Sequence, residues 1–220
     1  SGSFTTGGVR SGSAGAPTLN VADAEAIAEL DGIVNVAPTH SGTRQLVYGA
    51  QNWSSNVIGT TPAYLDARAW TIVQGAGFGE SDVRSSTRVA VIGKTVAENL
   101  FRDEDPVGKA MRIQQNPFLV IGVLGSKGQS LDGRDQDDTV IIPLSTAQRK
   151  VFGTPFLGSV RMLMVQAESA ENMPRAVDAV ESLLRPRHRL REGMPNDFFT
   201  RNLSAAAESE ADTTGPLSLL

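Results

Sequence analysis

The amino-acid sequence predicts an α+β fold of two subdomains, one inserted into the other. Three observations carry that expectation. Short runs rich in β-branched residues crowd the middle third, Arg88 to Phe152; helix-then-strand material opens the chain; strand–helix–strand material closes it. At 220 residues the chain can bury a sizeable core, and its balance of 40% hydrophobic to 20% charged residues is that of a globular protein.

Residues 1–17, SGSFTTGGVRSGSAGAP, hold Gly, Ser and Thr with little to bury and read as a mobile lead-in. Asn20 is placed to cap a helix over VADAEAIAEL, with Asp23 in its first turn and Val21, Ala24, Ile27, Ala28 and Leu30 as its buried stripe. Asp31-Gly32 stops it. The alternating runs IVNVAPTHSG and QLVYGAQNWSSNVIGT read as strands of a meander, with turns at Gly42 and around Gly49–Asn52. Thr61-Pro62 opens a helical turn, PAYLDAR, which leads into WTIVQGAGF.

In the middle, VAVIG (Val89–Gly93), FLVIGVLG (Phe118–Gly125) and TVIIPL (Thr139–Leu144) are predicted strands. A short helix, Thr95 to Phe101, presents Val96, Leu100 and Phe101 on one side. A long polar loop, Ser126 to Asp138, separates the later two strands. Beyond it, Val160–Ala167 reads as a strand buried on both faces. A helix from about Ala170 to Leu184 follows, with Pro174 in its first turn and Ala176, Val177, Val180, Leu183 and Leu184 facing the core. The basic run Arg185–Arg191 contains a helix-breaking proline, DFFTRN (Asp197–Asn202) is a final strand, and the tail is weakly helical. The pattern divides the chain near Arg68–Gly75 and Phe152–Ser159.

Composition and motifs exclude several classes of function. A net charge of -4 and a pI near 5.2 argue against nucleic acid, which favours a concentrated basic face. Without cysteine there is no thiolate metal site, disulfide or cysteine nucleophile. No apolar run reaches the length of a membrane span. Gly93-Lys94-Thr95 ends like a phosphate-binding loop, but Arg88 stands where that loop needs its first glycine, so a tight strand-to-helix turn is expected. In the Asp132, Asp135, Asp137 and Asp138 cluster, Arg134 and Gln136 fall where calcium ligands would alternate, so a solvated acidic loop is expected. His40 and His188 read as surface or edge residues, the basic run as a helix C-terminus, and Trp53 and Trp70 as packing. No convergent catalytic, cofactor or metal set emerges, which leaves exposed loops, above all Ser126–Asp138, to carry function.

The order VAVIGKTVAENLF, DPVGKAMRI, FLVIGVLGSKGQS, DQDDTVIIPLSTAQRKVFG resembles the periplasmic core domain of MacB-type ABC transporter permeases, within the MacB/FtsX-like family. GGVRSGSAGAPTLNVADAEAI and YGAQNWSSNVIGTTPAYLDARAW are similar to the same family, and the likeness runs from about Gly7 to Asn202. It implies a discontinuous porter-like subdomain of split βαβ units (1–69 plus 157–214) with an inserted, β-rich Sabre-like subdomain (70–156). It further implies a stub at 215–220 leading to a transmembrane helix, and the strand that the family usually has ahead of a loop like SGSFTTGG is here absent or outside the chain. Such a domain is expected in the periplasm, as part of an inner-membrane protein held through flanking helices. It is not expected to be an enzyme, because the family's ATPase lies elsewhere, and it implies no cofactor and no nucleic acid. Expected partners are a periplasmic membrane-fusion adaptor, an outer-membrane channel and a second permease copy, with motion driving efflux. A lipoprotein-releasing or a peptide-sensing permease is the alternative. Within that scheme the expected adaptor contact is Lys127, Gln129, Arg134 and Asp135, and the expected hinges are Gly75, Gly77, Gly153 and Gly158, where glycines relax the backbone.

Overall fold

The computed structural model describes residues 5–11, 18–154 and 156–202, the first stretch through its backbone alone. Strand β1 (Thr5–Ser11) is followed by the short β2 (Leu19–Asn20) and helix α1 (Val21–Ala28). Next come the long β3 (Ile33–Tyr48), β4 (Gln51–Thr60), α2 (Ala63–Ala67), β5 (Ile72–Gly75) and α3 (Glu80–Ser85). β6 (Val89–Ile92) runs into α4 (Lys94–Val96), which continues as a π-helical turn over Ala97–Phe101. β7 (Ala110–Ile113), β8 (Asn116–Leu124) and β9 (Thr139–Pro143) precede α5 (Leu144–Thr146), which again continues as a π-helical turn, Ala147–Val151. β10 (Ser159–Val160), β11 (Met162–Ala167), α6 (Met173–Arg187) and β12 (Phe198–Asn202) follow.

β3 organises the whole. Its C-terminal half pairs with β4 and, at Leu46 and Val47, with β7. β4 runs parallel to β9, β9 antiparallel to β6, β6 parallel to β8 and β8 antiparallel to β7. These pairings close a ring, whose interior is filled by Leu46, Val57, Ile92, Met111, Phe118 and Ile142 and plugged by Leu100, Phe101 and Ala147 from the helical turns. The N-terminal half of β3 pairs with β11, β11 with β1 and β1 with β12, making an open antiparallel sheet. One face of that sheet packs on α1 and α6 through Ile27, Leu163, Val165, Val180, Leu184 and Phe198. Another cluster, with Ala37, Tyr64, Val91, Leu124, Ile141 and Met164, joins α2 and the outside of the ring to the sheet's other face.

The α+β expectation holds, and the three central strands lie where β-branched residues placed them. Asn20 caps α1 reciprocally: its Oδ1 accepts the Asp23 amide at 2.9 Å, and Asp23 Oδ2 accepts the Asn20 amide at 3.1 Å. Several expectations are corrected. The lead-in contains β1, TTGGVRS, a strand held by backbone pairing on both sides, whose single apolar side chain, Val9, gives no alternating hydrophobic signal. That pairing also fills the sheet from within the expected loop TTGG. Gly42 is no turn: β3 runs straight through it, and its missing side chain admits the Phe152 ring, whose nearest carbon lies 3.0 Å from where a β-carbon would stand. Ala28 is exposed because α1 ends there. α6 begins at Met173, not Ala170, and passes through Pro186 to Arg187, since the His188 amide still reaches the Leu184 carbonyl at 2.8 Å. β3 and β4 contribute Leu46 and Val57 to the ring interior. The weakly helical tail and the stub at 215–220 lie outside the described residues.

His188 is not at the surface. Its side chain is only 5% exposed and sits between two carboxylates, Nε2 at 2.9 Å from Asp23 Oδ2 and Nδ1 at 2.8 Å from Asp197 Oδ1. Arg187 Nε donates to the other Asp23 oxygen at 2.9 Å, and Phe198 meets the imidazole edge-on. The end of α6 is thereby tied to the start of α1 and to the approach to β12. A neutral imidazole has one N–H, so only the imidazolium donates to both carboxylates. Burial pulls the His188 pKa down, but the hydrogen bonds to Asp197 and Asp23 and their charges outweigh it and raise it above 6.5. A raised folded-state value stabilises fully below pH 6.5 and ceases to do so as pH rises through it. Thermal unfolding of the wild type and His188→Gln therefore shows the widest gap in Tm, several degrees, below pH 6.5, narrowing toward alkaline pH. A gap independent of pH would assign His188 a packing role alone.

Candidate functional site

The loop 126–138 leaves β8 and enters β9, and its own side chains fold it into an ordered overhang. Asp137 is the anchor. It is buried, and its carboxylate accepts the Lys127 amide at 2.7 Å, the Gly128 amide at 3.0 Å and the Ser126 hydroxyl at 2.7 Å. Its burial opposes ionisation, yet those three donors, with Lys94 nearby, hold the carboxyl below the usual range. Gly93 packs directly beneath: a β-carbon there would overlap the Asp137 carbonyl, which explains the glycine of Gly93-Lys94-Thr95. Lys94 meanwhile faces solvent, 3.8 Å from Glu98.

The other acids serve separate partners. Asp135 accepts from the Thr95 hydroxyl and from the Asp137 amide, and Asp138 accepts the Trp53 indole N–H at 2.9 Å. Asp132 lies 3.4 Å from the exposed Arg134. The Ser130 amide donates to the Arg134 carbonyl at 2.8 Å, leaving Leu131–Arg134 as an exposed tip with Leu131 68% exposed. The solvated acidic loop is thus corrected at Asp137, whose carboxylate is internal structure.

Of the expected contact residues, Gln129 and Arg134 face outward, and Asp135 is exposed but bonded to Thr95. Lys127 turns inward instead. Its amino group lies 4.2 Å from the Trp70 ring centroid and donates to the Arg68 carbonyl. Burial and the neighbouring Arg68 charge, partly offset by Asp137, lower its pKa to about 8. Trp70 is therefore both packing and a seat for a cation. Of the expected hinges, Gly75 is a packed position: its φ is +69° and a β-carbon would overlap the Ile121 carbonyl. Gly77 lies under Ile72, whereas Gly153 (φ +61°) and Gly158 have open space around them.

Beneath the overhang runs a groove of about 860 Å³. Thr39, Ser41, Ile58, Met162 and Met164 form its sheet side, Tyr64, Arg68 and Trp70 one wall, and Gln129–Gln136 the lip. Sequence reasoning missed Arg68. The only signal for it was its place at the end of PAYLDAR, where a basic residue reads as an ordinary helix terminus.

The signature of the MacB-like periplasmic core domain family matches residues 2–183. The chain is 41% identical over 206 residues, 92% of its length, to a macrolide export ATP-binding/permease protein MacB of Rhodospirillum rubrum, and covers 30% of that protein. The chain thus spans about a third of the length of the curated relatives it matches. The fold is similar to the crystal structure of the periplasmic region of MacB from Actinobacillus actinomycetemcomitans, with a TM-score of 0.76, 25% identity and coverage of 96% of this chain and 94% of that one. It is also similar to the extracellular domain of the noncanonic ABC-type transporter YknZ from Gram-positive bacteria, with a TM-score of 0.71, 22% identity and coverage of 90% and 100%.

Followed through its neighbouring carbon by NMR, the Lys127 amino group should titrate near pH 8, and Asp137→Asn should lower its pKa further by removing the charge that favours the ammonium. Titration near 10.5 would place it in solvent, away from Trp70.

Proposed function

Because this chain belongs to the family of MacB-like periplasmic core domains, we propose that it is the periplasmic part of an ABC-type efflux permease that transmits force and makes or breaks no bond. Cytoplasmic ATP hydrolysis, carried out elsewhere in the transporter, would move two paired copies of the domain. These would drive cargo of the macrolide kind, named for the relatives, through a membrane-fusion adaptor and an outer-membrane channel. The observation that carries this reading is the architecture: a ring and an open sheet that share one strand, β3, so that displacement of one body reaches the other through continuous backbone.

In this proposal the porter-like body is the open sheet with α1 and α6, and the Sabre-like body is the ring with its overhang. The sequence limits of 1–69 plus 157–214 and 70–156 describe the chain path, with β3 and β4 closing the ring. Gly153 and Gly158 are the proposed hinge, since their surroundings leave the backbone free to turn, whereas Gly75 and Gly77 serve packing. The proposed adaptor contact is the outward tip, Gln129 and Leu131 to Arg134 with Asp135; Lys127 holds it from beneath.

Two experiments test this reading. In the complete transporter, Gly158→Pro combined with Gly153→Val should cut export severalfold while ATP hydrolysis persists; export unchanged in that variant removes the hinge. Separately, Leu131→Asp with Arg134→Glu should weaken capture of the adaptor roughly tenfold, as for loss of a hot-spot pair, with Tm unaltered. Full capture by that variant would move the contact elsewhere, and recruitment of a lipoprotein carrier instead of an adaptor would favour a releasing permease.

A further inference from the structure

We propose that the groove beneath the overhang binds a small anionic amphiphile, its acidic head against Arg68 and its apolar body against Trp70, Met162 and Met164. The site stands on the groove's own chemistry and assigns nothing to the transported cargo. A volume of about 860 Å³ suits a ligand of modest size. Its sheet side mixes Thr39 and Ser41 with the adaptable apolar side chains of Met162 and Met164 and with Ile58, of which Ile58 and Met164 are buried and Met162 is half-buried.

Two cations, Arg68 and Lys127, stand together at one wall of the groove. Arg68 is half-buried, its Nε is fully buried without a hydrogen-bond partner, and among the described residues it joins no ion pair. The Lys127 ammonium, bonded to the Arg68 carbonyl, is a second positive charge beside it, and it too enters no ion pair among the described residues. Arg201 lines the groove from β12. Of the lip's carboxylates, Asp132 is paired with Arg134, while Asp135 and Asp138 accept from the neutral Thr95 hydroxyl and Trp53 indole and keep their charge. A carboxylate, sulfonate or phosphate head would pair with the Arg68 guanidinium and relieve the repulsion between two neighbouring cations, in a partly desolvated place where such bonds are strong. An apolar tail would lie along Met162 and Trp70.

The test titrates the 220-residue protein with monomeric decanoate, following tryptophan fluorescence and heat. Decanol, decyltrimethylammonium, inorganic phosphate and phosphatidylglycerol vesicles serve as comparison arms. One decanoate should bind per chain, roughly tenfold or more tighter than the neutral and cationic analogues, the difference a charge-assisted hydrogen bond makes. Trp70→Phe should abolish the fluorescence change, and Arg68→Met should remove the head-group preference. If Arg68→Met does not fold, Met162→Glu, which sets a like charge in the groove, must abolish decanoate binding in its place. Equal affinity for all three head groups, phosphate binding as tight as decanoate, or attachment to vesicles without binding of monomeric decanoate would each overturn the proposal.

Discussion

The pairing of β3 with β7 is the constraint on which the rest depends. Only two residue pairs make it, Leu46 with Ile113 and Val47 with Arg112, yet they turn an open sheet into a ring. Without them β7 and the far half of β3 would each expose a hydrogen-bonding edge, and Leu46, Ile113 and Phe118 would lose a wall. Closure also makes the interior finite, so it must be plugged at its ends. Both plugs have one design: a strand, one turn of α-helix, then a π-helical turn, once after β6 and once after β9. β6 runs parallel to β8 and β9 parallel to β4, while β6 and β9 are antiparallel to each other. The ring thus contains one strand–helix arrangement twice, in opposite directions.

That duplication was invisible in the sequence, because VAVIGKTVAENLF and TVIIPLSTAQRKVF share a pattern of buried positions more than residues. What local chemistry dictates was legible: the Asn20 cap, the β-branched runs, the buried face of Val96, Leu100 and Phe101. What depends on partners distant in the chain was not. β1 is a strand because β11 and β12 flank it, and Gly42 lies inside a strand because Phe152 fills its missing side chain. His188 is buried because Asp23, far away in the chain, waits for it. A histidine in a basic run looks solvated until the carboxylates opposite it are known.

The overhang shows the same division. Its length and polarity marked it as exposed, and its tip is. Composition could not reveal that one of four aspartates, Asp137, turns inward to hold two amides and a hydroxyl, or that Lys127 leaves the solvent for Trp70. Each is a polar residue whose burial is satisfied by a specific partner, and specific partners are three-dimensional facts. The groove follows from these two anchors, since they hold the lip over the sheet.

On the proposed mechanical reading, a shared strand limits what motion is possible. The ring and the open sheet cannot part while β3 belongs to both, so relative movement has to be a twist about it. The handover is sharp: Thr39 is the last β3 residue paired to β11 in that direction, and His40 the first paired to β4. At this point Phe152, where the chain starts its return to the open sheet, stacks on His40 with ring centroids 4.8 Å apart and lies 4.7 Å beneath the Arg44 guanidinium. Both connections between the bodies therefore meet at one aromatic contact. A twist there has Phe152 slide over its partners and shears the cluster of Ala37 and Met164 against Tyr64, Val91 and Ile141, with the freedom of Gly153 and Gly158 immediately behind Phe152. Burial, with Arg161 and Arg44 nearby, holds His40 below its ordinary pKa and so favours the neutral imidazole in this stack, a form that carries no charge to desolvate as the rings shift.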